Sequence, residues 1–397
     1  MGVELNNDQL FACNKLEHWW HSASSDQVIG LGGGAGTGKT TTILYLVQRI
    51  GLTLDQVLFV SYMGKAVSRM IQTGLPAKTI HATCYTYEKQ IARDDDGHMI
   101  FTASGKPKMN WVPILKDHLP KKIKLIIADE AYTIPEKNAI DLESFGIPII
   151  AVGDENQLDP PFGKPYFLAN GPDIKLTQIM RQAEGNPIIW LANQVLKREY
   201  IRDGQYGTSS VIRKQNLTDF SLRNADVILT STNRLRGSIN KLFREQFMNF
   251  TNMEIPHVGE KLLCVANDWS RFINMGGGEI YLTNGTTGIV DYVDKRSLNS
   301  KSIKLDFLPD YGKRAFHNIQ IDLDRLNAPL GQHGDAWTPP DMNSFEYGYA
   351  LTIYKSQGSD WANVLILDEG AVAGVDKYYR SLYTALTRAT QSVTLVR

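Results

Sequence analysis

Apolar positions along the chain fall into short, nearly unbroken β-branched runs. QVIGL at 27–31, VLFVSY at 57–62, IKLIIADE at 123–130 and IPIIAVGD at 147–154 each end where small or polar residues take over, and helical stretches separate them. Runs without polar alternation read as strands buried on both faces of a parallel sheet, with functional groups at their carboxyl ends. A second set follows: DVILTST at 226–232, YALTIY at 349–354, NVLILD at 363–368 and SVTLVR at 392–397, with a helical stretch, DKYYRSLYTALTRAT, at 376–390. The pattern predicts two α/β units. Two segments interrupt it. Residues 84–120 carry DDDG at 94–97 between polar-apolar runs and read as a hairpin projecting from the first unit. Residues 257–345 alternate in strand fashion (GEIYLTNGTTGIVDYV, SIKLDF) around the turn signal Asn284-Gly285, which predicts a β-rich insert.

Composition narrows the class. A length of 397 residues suits two to three domains. Lys and Arg total 42, as do Asp and Glu, so no overall positive field draws in a polyanion, which argues against a histone-like or tail-type binder and leaves room for a local basic channel. Cys13, Cys84 and Cys264 lie far apart, without the spacing of a disulfide framework or zinc site, and suit a reducing cytoplasm. No apolar run approaches the ~18 to 20 residues of a membrane span. The opening MGVELNNDQLFACNKLEHWW is too polar for a signal peptide. A soluble, cytoplasmic protein without a membrane partner is expected.

The strongest chemical signal is GGGAGTGKT at 32–40, with G-x-x-x-x-G-K-T running from Gly33 to Thr40 between a predicted strand and a predicted helix. Backbone N–H groups of Gly33, Gly34, Ala35, Gly36, Thr37, Gly38 and the helix start through Thr41 suit a phosphate cradle. Lys39 would neutralise β/γ oxygens and Thr40 would hold Mg²⁺, so ATP and Mg²⁺ are the expected cofactors. LIIADEA at 125–131 supplies a carboxylate at the end of a neighbouring strand: Asp129 for the metal and Glu130 to polarise the attacking water. In GDENQLDPP, Gln157 stands where a strand-end glutamine can sense the γ-phosphate, although GDENQ by itself is also an ordinary polar loop.

The order GGAGTGKT, TIH, DEA, GDENQL, KSQG and YTALTRA, collinear from about Gln9 to Arg397, resembles superfamily 1 helicases, and within them the RecD/Dda-like branch. The resemblance implies an α/β fold of two RecA-like P-loop domains with parallel sheets, ATP between them and a single strand across their top. It divides the chain into domain 1A (1–83 and 121–187) with hairpin insert 1B (84–120), and domain 2A (188–256 and 346–397) with an SH3-like insert 2B (257–345). By motif, Gln9 is implied to read adenine, Arg181 in LTQIMRQ to reach the γ-phosphate, Gln357 and Gly358 to form motif V, and Arg388 in YTALTRA to act as an arginine finger. SYMGKAVSRM and TIHATCY resemble strand-binding motifs, which makes Ser61, Tyr62, Lys65, Thr79 and His81, with Tyr354 and Ser356, nucleic-acid candidates. Rings and hydroxyls suit stacked bases and phosphates with little sequence readout. His81 alone also reads as a satisfied buried histidine.

On the hairpin, His98, Met99 and Phe101 are candidates for the strand-separating pin that such helicases carry, or else they pack inside a small insert. Three departures from the family pattern stand out. Tyr354 replaces the usual histidine before KSQG, Tyr132 follows DEA where a small hydroxyl residue is common, and Asp159 interrupts QLPP. The implied activity is ATP-driven 5′ to 3′ translocation on single-stranded DNA by a monomer, unwinding forked duplex, with insert 2B available to replication or recombination proteins. A viral-type RNA helicase and a DNA-binding ATP switch remain alternatives at the level of sequence.

Overall fold

The β-branched runs become strands because they can bury both faces, and the sheet they build sets the cleft. The computed structural model describes residues 4–22, 26–93, 96–101, 107, 109–159, 165–180, 185–248, 250, 252–275, 278–310, 312, 314–328, 342–372 and 374–397. The chain enters through helix Asn7–His21, started by a capping box in which Asn6 and Gln9 each bond the other's backbone. β1 (Val28–Gly33), β2 (Val57–Ser61) and β3 (Ala77–Thr79) follow. A hairpin of β4 (Tyr85–Ile91) and β5 (Met109–Leu115) then leaves the sheet, paired from Tyr85 opposite Leu115 to Ile91 opposite Met109. β6 (Leu125–Asp129), β7 (Ile149–Gly153) and β8 (Ile174–Leu176) complete a six-stranded parallel sheet in the order β3-β2-β6-β7-β1-β8.

Register brings the functional strand ends level. Ser61 pairs with Asp129, Ala128 with Ala151, and Gly32 with Gly153, so the carboxyl ends of β2, β6, β7 and β1 stop along one edge. That edge is where ligands bind in open parallel sheets.

β9 (Gly204–Tyr206), β10 (Ser209–Ile212) and β11 (Val227–Thr230) begin a second sheet. The chain then departs through β12 (Lys261–Cys264), β13 (Asp268–Met275), β14 (Gly278–Leu282), β15 (Thr287–Asp294), β16 (Ser302–Pro309), β17 (Phe316–Asp322) and β18 (Phe345–Tyr347). Five of these form an antiparallel sheet, β17-β16-β15-β12-β18, and β13 pairs with β14. β19 (Ala350–Thr352), β20 (Trp361–Leu367) and β21 (Ala389–Val396) close the second sheet in the order β19-β11-β20-β21-β10-β9, parallel except at the β9 edge.

Two elements differ from the expected pattern. YALTIY is strand only to Thr352, whose hydroxyl accepts from Lys355 N–H and caps a short helix, Ile353–Ser356. The helix expected over 376–390 spans Val375–Leu386, and Ala389 already belongs to β21. β3, β8, β9 and β10 were outside the expected runs. At three or four residues each they are too short to impose a pattern, and three of them are sheet edges.

Candidate nucleotide site and strand-facing surface

β1 delivers the chain into loop 34–38, where Gly36 and Gly38 hold φ of 79° and 80°, a region favouring glycine. A side chain at Gly38 would also collide with Gln9, its Cβ only 2.3 Å from Nε2. Helix Lys39–Arg49 starts directly after, with no side-chain cap on its first N–H groups, so its positive end faces the cleft. Lys39 lies along the loop, Nζ donating to the carbonyls of Gly33 (2.5 Å) and Gly34 (3.2 Å). Thr37 is tied down by its hydroxyl to Gly34 O at 2.9 Å and by Gln9 Nε2, which donates to Thr37 O at 3.3 Å. Gln9 is only 1% exposed, a buried strut beneath the loop.

In front of the loop is a cavity of about 470 Å³. From the first sheet it is lined by Gly34, Ala35, Gly36, Gly38, Lys39, Thr40, Thr41, Asp129, Glu130, Asp154 and Gln157; from the second sheet Arg388, Thr387 and Asp360 reach it. Thr40 and Asp129 are its Mg²⁺-type oxygen donors. Among the described residues no group of three or more His, Cys, Asp or Glu forms a self-sufficient metal cage. One hydroxyl and one carboxylate beside a phosphate cradle fit an ion that takes its remaining ligands from water and phosphate.

Glu130 adopts a left-handed backbone (φ 52°), held by the Thr133 hydroxyl donating to its carbonyl at 2.7 Å. Such a conformation is uncommon in a non-glycine residue, and Arg198 and Asn318 share it away from the cavity. Burial and the neighbouring Asp129 push its carboxyl pKa up, against the pull of Arg388 and Lys39. Arg388 is itself buried, donating from Nε to Thr384 O (3.1 Å), from Nη1 to Ser359 O (3.4 Å) and from Nη2 to the Thr387 hydroxyl (3.2 Å).

Sequence reasoning missed much of what ties the two sides together. The Tyr383 hydroxyl donates to Asp154 Oδ2 at 2.6 Å and accepts from Ala35 N–H at 2.9 Å, bridging the phosphate loop and the end of β7. Its ionisation is pushed far up, first by burial and then by Asp154. Thr384 Oγ1 accepts from Leu158 N–H (3.0 Å), Gln357 Nε2 donates to Leu158 O (2.9 Å), and Arg380 reaches 155, 157 and 159 of the same loop. The signal is present: Arg380 and Thr384 are four residues apart on one helical face, and Arg388 follows four residues on, in the turn after the helix. Gln357 and Gly358 are not among the residues lining the cavity; Gln357 instead braces loop 154–159. Arg181 lies outside the described residues.

The strand candidates separate into two kinds. Ser61 is fully buried with Oγ near Met63 N–H (3.4 Å), Thr79 caps helix Ile80–Cys84 by accepting from Ala82 N–H (3.1 Å), and Ser356 turns its hydroxyl onto Ile353 O (2.7 Å). Tyr62, His81 and Tyr85 instead form a row of rings, with centroids 5.4 and 5.9 Å apart. Burial, with Lys137 nearby, lowers the His81 pKa and favours the neutral ring. Tyr354 carries Lys377 Nζ 5.3 Å over its face. Lys65 donates to Thr287 Oγ1 of β15 (2.7 Å) and lies 4.8 Å over the Trp361 ring; burial lowers its pKa to about 8 although Asp310 and Asp360 oppose the shift. At the hairpin's far end Met99 and Phe101 are 45% and 58% exposed, next to His98, with isolated bridges Arg93 to Met99 and Phe101 to Pro107.

Residues 17–163 match the AAA domain family, and residues 347–396 match the UvrD-like helicase C-terminal domain. Over 380 residues the chain is 27% identical to the ATP-dependent RecD2 DNA helicase of Deinococcus radiodurans, covering 91% of this chain and 46% of that protein. Both ends of the chain thus match helicase-type family models, and most of its length is similar in sequence to a RecD2 DNA helicase. Solved Pif1 helicases share the fold. The Bacteroides Pif1 bound to ssDNA aligns with a TM-score of 0.54 at 17% identity, over 99% of this chain and 92% of that one. The Pif1 helicase from Candida albicans aligns at 0.52 and 16%, over 100% and 95%. An uncharacterized protein of Methanocaldococcus jannaschii is 23% identical over 451 residues, covering 90% of this chain and 36% of that protein. The chain thus spans less than half the length of these two curated relatives. The fold is mixed α/β, as two RecA-like P-loop units require. Among the described residues no helix is long and apolar enough to cross a membrane.

Proposed function

We propose that the chain is an ATP-driven motor that moves 5′ to 3′ along single-stranded DNA and opens the duplex ahead of it. The observation carrying this reading is the cavity in which Lys39, Thr40, Asp129, Glu130 and Gln157 from one sheet face Arg388 from the other. Lys39 and the loop N–H groups hold the phosphates. Glu130 takes a proton from the attacking water, which Gln157 orients. Bound Mg²⁺, held by Thr40 and Asp129, would offset charge on the phosphate oxygens. Because Arg388 comes from the second sheet, hydrolysis requires a closed cleft, and each turnover can drive relative motion of the two units.

Names of relatives support the substrate: the Deinococcus relative is a DNA helicase, and a Bacteroides Pif1 structure contains ssDNA. The 5′ to 3′ direction is the one the family resemblance implies. Tyr62, His81 and Tyr354 are the base- and phosphate-facing groups, while Ser61, Thr79 and Ser356, engaged in local bonds, shape the backbone beneath them. Gln9 supports the adenine end of the site and Arg181 the γ-phosphate. Met99 and Phe101 present the apolar tip that meets the fork. The motor acts as a monomer, with the β-rich region 257–345 open to replication or recombination proteins.

The test is unwinding of two duplexes that differ only in carrying a 5′ or a 3′ single-stranded tail, with ATP and Mg²⁺. Opening of the 5′-tailed substrate alone is expected. Opening of only the 3′-tailed one overturns the direction, and ATP turnover stimulated by RNA but not DNA overturns the substrate. Lys39→Ala removes the counter-charge on the phosphates and lowers turnover by about 10³-fold or more; near-normal turnover in that variant would mean the loop is not the ATP site.

A further inference from the structure

Loop 154–159, which carries Gln157, belongs to the first sheet by sequence but is held largely by the second. Asp154 accepts from Tyr383, Leu158 is bonded at N–H by Thr384 and at its carbonyl by Gln357, and Arg380 holds the carbonyls of 155 and 157 and the carboxylate of Asp159, while from the first sheet Lys175 pairs with Glu155. The Arg380 fork closes on both carboxylate oxygens of Asp159, Nη1 to Oδ2 and Nη2 to Oδ1, each at 2.7 Å. Nε donates to Gln157 O at 2.9 Å and Nη2 also to Glu155 O at 3.2 Å. One planar guanidinium thus binds residues 155, 157 and 159, a geometry a lysine ammonium cannot reproduce. Asp159 stands at the point where the sequence departs from the family's QLPP, and a proline there offers no carboxylate for the fork.

We propose that Asp159 and Arg380 are positioning residues for ATP hydrolysis, their ion pair fixing Gln157 in the same frame as Arg388. The inference rests on reading the cleft as the ATP site. Arg380 is followed on the same face by Thr384, whose carbonyl accepts from Arg388 Nε, so the residue that grips the glutamine loop and the arginine finger are linked through one helix, Val375–Leu386, and the turn after it. When the cleft closes, the fork sets the distance between Gln157 and Arg388; when it opens, both lose their frame together. The two side chains are 32% and 49% exposed, so the pair adds little to the fold's stability, and its loss should appear in rate.

The experiment is steady-state ATP hydrolysis by the full chain at saturating single-stranded DNA. Asp159→Asn is expected to lower kcat about three- to fivefold with KM for ATP within about twofold, as for a half-exposed pair acting in the transition state. Arg380→Lys, which loses the fork and the backbone contacts together, should lower it about tenfold. Asp159→Glu should recover most of the wild-type rate. The double variant Asp159→Asn/Arg380→Lys should be no slower than Arg380→Lys alone, since both changes break one interaction. As a control, Asp203→Asn breaks a comparably exposed pair with Arg213 (2.6 Å) away from the cleft and should leave kcat unchanged. An unaltered kcat in Asp159→Asn, additive losses in the double variant, or an effect confined to KM or melting temperature would overturn the proposal. A wild-type chain without ATP turnover would overturn the ATP reading and this inference with it, whereas normal wild-type turnover with an indifferent Asp159→Asn overturns the inference alone.

Discussion

At the cleft, the ion pairs that cross between units stand partly in water. Arg69 meets Asp360 with the arginine 59% exposed, and Arg380 meets Asp159 with both partners at least a third open or close to it. Where the β-rich region joins the second sheet the carboxylates and arginines are sealed, and only Lys355 among these partners stands about a third open. Glu346 of β18 is gripped by Arg236 of helix Asn233–Leu242 and by Lys355 beside Gln357, and Arg244 meets Glu260 at 2.6 Å while stacking 3.9 Å over Tyr347. Glu260 and Arg244 are almost wholly out of water. A half-exposed pair exchanges its partner for solvent at a cost of about 1 kcal/mol or less, whereas breaking a sealed pair costs about 3–5 kcal/mol. A motor of the kind proposed can open the first junction once per turnover, whereas the second holds the β-rich region to the second unit.

Glu346→Ala is the sharpest way to break this contrast. It leaves Arg236 charged, buried and without its carboxylate, and should lower unfolding free energy by about 3–5 kcal/mol in a urea titration. A loss below 1 kcal/mol would mean that the sealed junction is no firmer than the cleft. Arg388→Ala tests the other side: kcat should fall about 10²–10³-fold, while nucleotide binding stays near wild type. Equal losses in binding and hydrolysis would deny Arg388 a role specific to the transition state.

Groups that line the cavity in front of loop 34–38 are legible in the sequence because each ends a buried strand or opens a helix. Lys39, Asp129, Glu130 and Gln157 follow apolar runs whose register the structure keeps, and Arg388 reaches the same cavity from the other sheet. What the sequence did not reveal lies in pairs distant along the chain. Nothing local to Asp159 announces Arg380, 221 residues away, and Lys65 reads as a nucleic-acid contact from its motif, whereas the fold lays it against Thr287 of β15 and the Trp361 ring. Ser61, Thr79 and Ser356 were read as groups facing a strand from their motif positions, yet their hydroxyls act within the protein, since short polar side chains near a turn compete for the nearest backbone group.

Acid titration sharpens the contrast without mutation. Burial alone would raise the Glu346 pKa, but Lys355 and Arg236 outweigh it and hold the carboxyl at about 2. A carboxyl whose folded pKa lies below its unfolded value near 4.5 stabilises the fold above that value and loses the contribution as pH falls toward 2. Stability should therefore decline between roughly pH 4.5 and 2 by up to about 3 kcal/mol more in the wild type than in Glu346→Gln. Parallel acid curves for the two proteins would remove Glu346 from the account.

The smallest effect is expected at Asp360→Asn, which breaks the Arg69 pair at the cleft mouth. Arg69 is the more exposed partner, so stability should change by less than about 1 kcal/mol. Any change in kcat should be under about twofold and should vanish near 1 M salt, where screening acts within ~3 Å. The comparison with Asp159→Asn is the informative one, because both variants remove a carboxylate from a half-exposed pair spanning the same cleft. If Asp360→Asn slows turnover as much as Asp159→Asn, the pairs act only by favouring closure. If only Asp159→Asn slows it, the difference belongs to what Arg380 also holds, the backbone of Gln157.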